Sequence, residues 1–405
     1  MISIVGIAVL IAIAFGLSAH RKSINWRTVA GAFTIQATIG AFILYVPAGQ
    51  SALLFMSNGV RKLLEYGDAG VNFLFGPIGD KSLGFIFAFN VLPAIIFFSS
   101  LIAVLYHLGI MSWVIRLIGG MLQLALKTSR PESMSAAANI FVGQTEAPLV
   151  VKPFIPQMTR SELFAVMVGG LASVAGAAMV GYAQLGVELK YLLAASFMAA
   201  PGGLLMAKII MPETQDFKNE LDELQDDSNS YANVFDAAAT GAASGLKLAV
   251  NVGAMLLAFI ALIAVLNGII GGIGGWFGHE ELTFQLILGY VFQPLAWVLG
   301  VPWNEANLAG SFIGQKMVVN EFVAYVDFAN YQDDLSVKAQ AVITFALCGF
   351  ANLSSIAILM GGIGALAPTR RKEIAQLGLR AVLAATLANL MSAALAGLFI
   401  GLSLT

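Results

Sequence analysis

Apolar residues fall along this chain in eight long runs, at about 2–18, 30–46, 85–108, 163–182, 191–210, 246–270, 337–360 and 381–402. Each is near the roughly 20 residues a helix needs to cross a bilayer. The first run has no basic residue ahead of it and is followed by Arg21 and Lys22. It therefore reads as a span with an outside amino terminus rather than a signal peptide. Residues 49–81 mix apolar positions with Arg61, Lys62, Glu65 and Asp68, the pattern of helices lying at the interface. Residues 111–126 are amphipathic, 213–227 form an acidic cytoplasmic linker, and 271–278 (GGIGGWFG) read as a turn.

Two stretches break the pattern. Residues 139–151 (NIFVGQTEAPLVV) place Gln144, Thr145 and Glu146 between Gly143 and Pro148, neither of which suits a straight helix. Lys127 and Arg130 precede this stretch, and Lys152 and Arg160 follow it. Both ends thus look cytoplasmic, as in a re-entrant hairpin, a form tolerated only where protein or a wet cavity surrounds it. Residues 300–325 repeat the layout with Glu321 at the centre of VVNEFVAY, followed by a polar outer loop at 327–334. Each hairpin precedes a span with a polar or small-residue core, GGLASVAGAAMVG in the first half and CGFANLSS in the second, and then a final span. The first copy starts inside and the second outside, so the expectation is an inverted repeat. Paired discontinuous segments of this kind point to a carrier with its site at mid-membrane.

Composition supports the class. The chain has 405 residues, 59% hydrophobic and 11% charged, too apolar for a soluble globule. The expected fold is an all-α polytopic membrane protein. A net charge of -2 gives no reason to expect a nucleic-acid partner, and the single cysteine, Cys348, excludes an internal disulfide and reads as a small apolar packer. The three histidines are scattered, so a zinc-type site is not expected.

The ordered trio NIFVGQTEAPLV, NEFVAY and CGFANLSSI resembles the concentrative nucleoside transporter family, with likeness over nearly the whole chain. The resemblance implies eight transmembrane helices plus two re-entrant hairpins in inverted repeats, a homotrimer, and a transport part sliding against a scaffold. On that scheme, residues 1–110 and 233–285 are scaffold, 111–212 the first transport repeat, 213–232 the linker and 286–405 the second repeat. It also implies that Gln144, Thr145 and Glu146 face a nucleobase, with Ala178 nearby. Glu321, Asn352 and Ser355 would meet the ribose, and Phe350 would give apolar contact. Asn139, Val142, Ser173 and Val174 would hold sodium, through side-chain oxygens of Asn139 and Ser173 and carbonyls of the two valines. The implied activity is sodium-driven import of nucleosides such as uridine and adenosine across the bacterial inner membrane, with no organic cofactor.

Blander explanations stand beside these. A buried glutamate can be a structural clip, although a charge at mid-helix costs roughly 2.5–3.5 kcal/mol on insertion scales and is usually functional. Ser173 alone would pass for helix packing, Phe350 for core, and Glu305 for a surface cap. Proton coupling through Glu146 is the alternative to sodium, which the neutral oxygens of Asn139 and Ser173 favour. An intramembrane enzyme using Glu146 and Glu321 as acid and base is a further alternative, but the chain has no HExxH or GxSxG. A channel would not accumulate solute against its gradient.

Overall fold

The computed structural model describes residues 2–79, 84–215 and 231–403. Among them every regular element is helical. That suits hydrocarbon, where an unpaired backbone N–H or C=O has no water to bond and a helix satisfies both internally. The first half runs α1 (Ile2–Gly16), α2 (Trp26–Leu44), α3 (Pro47–Phe75), α4 (Phe87–Asn90), α5 (Leu92–His107), α6 (Ile110–Leu126), α7 (Arg130–Ala138), a 3₁₀ segment (Ala147–Gln157), α8 (Arg160–Ala172), α9 (Gly176–Gln184) and α10 (Leu189–Ile210). The second runs α11 (Val234–Gly275), α12 (Phe284–Leu299), α13 (Trp303–Val318), α14 (Glu321–Asn330), α15 (Val337–Leu347), α16 (Ser355–Leu366) and α17 (Arg371–Ser403).

Six helical stretches among the described residues are long and apolar enough to cross a membrane. The expected eight spans need α1 and the α15–α16 pair as well, both of which are shorter apolar helices. Three local expectations are corrected. Where residues 49–81 read as interfacial helices, the described part is mainly one helix, α3, burying a single stripe, Gly49, Leu53, Ser57, Leu64 and Val71, with 80–81 outside the described residues. The glycine-rich 271–278 is helical as far as Gly275, because keeping backbone groups bonded outweighs the roughly 1 kcal/mol that glycine costs a helix. The outer loop expected at 327–334 begins later: α14 continues to Asn330, and Asp327 accepts a 2.6 Å hydrogen bond from Gln315 Nε2. Most of the acidic linker, 216–230, lies outside the described residues.

Burial divides the helices. All of α8 after Arg160 is buried, as is most of α10, α15 and α17, whereas α11 buries only a narrow stripe. That stripe carries Gly241 and Gly245, four residues apart. A Cβ at Gly241 would lie 2.6 Å from Ala103 Cβ, and one at Gly245 would lie 2.8 Å from Ile96 Cα. Small residues at this spacing let α5 and α11 approach backbone to backbone. On the other side α12 and α13 meet at a 115° bend and pack along each other.

Both broken spans are present. α8 stops at Ala172 and Ser173 is extended before α9 resumes at Gly176; α15 stops at Leu347 before α16 begins at Ser355. The two breaks meet, since Phe350 N donates to Ser173 O at 3.2 Å. Fold and sequence agree here for a physical reason: each break leaves carbonyls and amides unpaired, and an amide of the second break serves a carbonyl of the first.

Candidate functional site

The polar breaks converge on one place. The turn after α7 is closed by Glu146 itself, whose Oε2 accepts from Gly143 N at 2.7 Å. Its companion Gln144 is buried and reaches across to the second half, donating from Nε2 to Ser355 Oγ at 3.4 Å. Ser355 begins α16, and its hydroxyl and amide both donate to Asn352 Oδ1 at 3.0 Å. Asn352 Nδ2 in turn donates to Glu321 Oε2 at 2.9 Å, and Tyr182 OH donates to Glu321 Oε1 at 3.2 Å. A continuous polar chain therefore runs from the first hairpin to the second.

Local sequence explains why Glu321 is held there. Asn320 is the N-cap of α14, its Oδ1 accepting from Val323 N at 2.9 Å. This puts Glu321 in the first helical turn, where the positive end of the helix dipole favours a carboxylate. Phe322, next in the chain, packs against Tyr182 with ring centroids 4.6 Å apart and lines the same cavity as Glu321.

These groups face a cavity of about 1150 Å³. Gln144, Thr145, Glu146, Ala178, Glu321, Phe350, Asn352 and Ser355, all eight residues expected to meet solute, line it, as does Val142. The opposite wall belongs to α5 and α11 and carries Ser99, Tyr106, Lys247 and Asn251. Glu146 and Thr145 are exposed within the cavity, while Glu321 and Asn352 are 5% and 3% exposed at its back.

The other expected group lies behind Gln144. Asn139 is the C-cap of α7, and its Nδ2 donates to Ser135 O at 2.8 Å. Ser173 Oγ donates to Gly169 O at 3.0 Å, and a Cβ at Gly169 would lie 3.1 Å from Asn139 Nδ2. Asn139 and Ser173 thus both lie against Gly169. Val174, fully buried, follows in the extended break. Among the described residues, the buried Asn139 Oδ1 accepts no hydrogen bond. A neutral oxygen left without a partner there suits a small cation that needs oxygen ligands and carries no proton to place.

Family models match three consecutive parts of the chain. "Na+ dependent nucleoside transporter N-terminus" covers residues 5–78, "Nucleoside recognition" 88–188 and "Na+ dependent nucleoside transporter C-terminus" 191–397. The chain belongs to the concentrative nucleoside transporter family. Nucleoside permease NupC of Helicobacter pylori is 52% identical over 100% of this chain and 98% of its own. Among solved structures, CNTnw in an inward-facing substrate-bound state matches with TM-score 0.95 and 59% identity, covering 100% of this chain and 99% of that one. A CNTnw variant in an outward-facing state matches with TM-score 0.95 and 58% identity, covering 99% and 98%. This concentrative nucleoside transporter is accordingly a multi-pass membrane carrier and not an enzyme, in a family whose structures support alternating access.

Sequence reasoning missed several participants. Tyr182 was read only as the end of a span, yet it bonds Glu321. Lys316, in the second broken stretch, and Asn389, in the last apolar run, are both buried and hydrogen-bonded to each other at 2.7 Å. A signal was available: an isolated lysine or asparagine within a span is costly and needs a partner. Glu305, left undecided between cap and site, accepts from Ser336 N and Oγ at 3.1 and 2.8 Å. It ties α13 to the start of α15, away from the cavity.

Proposed function

We propose that this transporter imports nucleosides by sodium symport across the bacterial inner membrane. The observation that supports it best is the polar chain from Gln144 to Glu321 lining one cavity, with the unpartnered Asn139 Oδ1 directly behind it. Sodium enters first, between Asn139, Val142, Ser173 and Val174, and orders the break between α8 and α9. The nucleoside then bridges the halves. Gln144, Thr145 and Glu146 bond its base beside Ala178, directly or through water, while Glu321, Asn352 and Ser355 take the ribose hydroxyls against Phe350. Uridine and adenosine are the expected substrates.

Helices α6–α10 and α12–α17 move as one transport unit against a scaffold of α1–α5 and α11, in a homotrimer with eight spans and two hairpins per subunit. The cavity extends to Tyr231, the first described residue after the acidic segment, and to Arg116. Those are the residues that basic-residue topology puts inside, so the cavity corresponds to the inward-facing state. One cation crossing 100 mV contributes roughly 2.3 kcal/mol, or roughly fifty-fold accumulation. The family description names Na+, and the Asn139–Ser173 group offers neutral oxygens with no titrating side chain, so sodium is favoured over protons.

Binding to purified protein tests this. Uridine should bind more tightly in sodium than in choline buffer, and uridine should raise sodium affinity by the same factor, since linkage is reciprocal. Equal uridine affinity in the two buffers would leave sodium without a role.

A further inference from the structure

The two halves treat their broken spans differently. In the first, the arm α7 ends at Asn139, beside the extended Ser173 and an oxygen without a partner. In the second, the corresponding arm α13 carries Lys316 in its last turn, 2% exposed. Lys316 Nζ donates to Ala346 O and to Asn389 Oδ1, both at 2.7 Å. Ala346 is next to the last residue of α15, where the break frees the terminal carbonyls and leaves the negative end of the helix dipole.

Asn389 extends this arrangement into the first half. Its Nδ2 donates to Cys348 O at 2.9 Å, the C-cap of α15, and to Ala172 O at 2.6 Å, the last residue of α8. Ala172 adjoins Ser173. One buried amide on α17 therefore joins the carbonyl ends of both broken spans, and a lysine supplies its positive charge. The fit is tight: a Cβ at Gly349 would lie 2.3 Å from Asn389 Oδ1.

We propose that the Lys316 ammonium is a tethered cation, doing for the α15–α16 break what sodium does for the α8–α9 break, and that Asn389 couples the two. This rests on the sodium-symport reading above. Lys316 and Asn389 touch neither solute nor the coupling ion; they are positioning residues. The consequence is specific. Removing the charge while leaving room at Ala346 O and Asn389 Oδ1 creates a second oxygen-lined place for a mobile cation, whereas a lysine serving only as packing leaves the number of coupling ions unchanged.

Uridine uptake by proteoliposomes carrying wild type, Lys316→Arg, Lys316→Gln or Asn389→Ser decides it, measured against sodium concentration with the charge moved per uridine. Wild type and Lys316→Arg should show a Hill coefficient for sodium of about one, and Lys316→Gln should be slow at low sodium with a coefficient rising to about two. The charge moved per uridine should double in Lys316→Gln. A Lys316→Gln protein of any rate with an unchanged coefficient and unchanged charge overturns the proposal. Where Lys316→Gln yields no folded protein, Asn389→Ser decides, because it keeps the lysine and cuts the link to Ala172. Its sodium half-saturation should rise several-fold while uridine half-saturation in saturating sodium stays put; an unaltered sodium half-saturation overturns the coupling. Wild-type uptake indifferent to sodium would instead overturn the symport reading on which the proposal rests.

Discussion

Glu321 has both carboxylate oxygens in use, one from Tyr182 and one from Asn352, at the back of a cavity whose front carries Glu146. In Glu321→Gln the side-chain shape survives and the charge does not. Hydrogen bonds to charged groups are worth about 1.5–3 kcal/mol, so apparent ribonucleoside affinity should fall about 10- to 150-fold. The loss should be smaller for an analogue lacking ribose hydroxyls, with the melting temperature in detergent nearly unchanged. Wild-type uptake by this variant would remove Glu321 from the ribose site. Asn139→Ala should raise the sodium needed for half-maximal uptake roughly tenfold, the equivalent of about 1.4 kcal/mol, and leave nucleoside half-saturation in saturating sodium little altered. At this scale the sequence showed Gln144, Glu146, Glu321 and Asn352 clearly, because acids and amides in apolar runs stand out. Tyr182, Lys316 and Asn389 were hidden because their partners are a distant carboxylate and backbone carbonyls freed by helix breaks. No residue pattern displays those as neighbours.

Among the elements, the breaks were legible and the lengths were not. Small and polar residues with Gly176 and Gly349 beside them mark Ser173–Ala175 and 348–354, whereas α11 overruns its expected apolar run at both ends because nothing in an apolar glycine-rich stretch forces a stop. The GxxxG spacing of Gly241 and Gly245 was equally present in the sequence, but only the fold says that α5 is what it faces. Adding a methyl there overpacks the contact with Ile96 and Ser99. Gly245→Ala should destabilise the protein by about 1–3 kcal/mol, read as a lower melting temperature. Gly268→Ala on the same helix meets nothing within 4 Å. It should be neutral or stabilising by up to roughly 1 kcal/mol through helix propensity. Equal effects at the two positions would contradict the close packing of α5 on α11.

For the whole molecule, a buried inner set of helices stands against α5 and α11 across one cavity, which is the arrangement a moving unit and a fixed frame require. Ser244 lines that cavity, and the native Cys348 is buried. A Ser244→Cys protein without sodium should therefore react with an impermeant maleimide from the cytoplasmic face, with little background labelling; reaction from the outer face alone would reverse the assigned orientation. The two broken spans could be read from the sequence because polar and small residues interrupt each apolar run. The link across α17 through Asn389 could not, since it joins residues 172, 316 and 348 only in the folded state. The central claim is that a sodium gradient drives nucleoside through the Gln144–Glu321 site. Labelled uridine should be taken up by proteoliposomes under an inward sodium gradient to a concentration above that outside, and should only equilibrate under potassium or a proton gradient. Accumulation driven by protons, or equilibration under sodium as well, would contradict it.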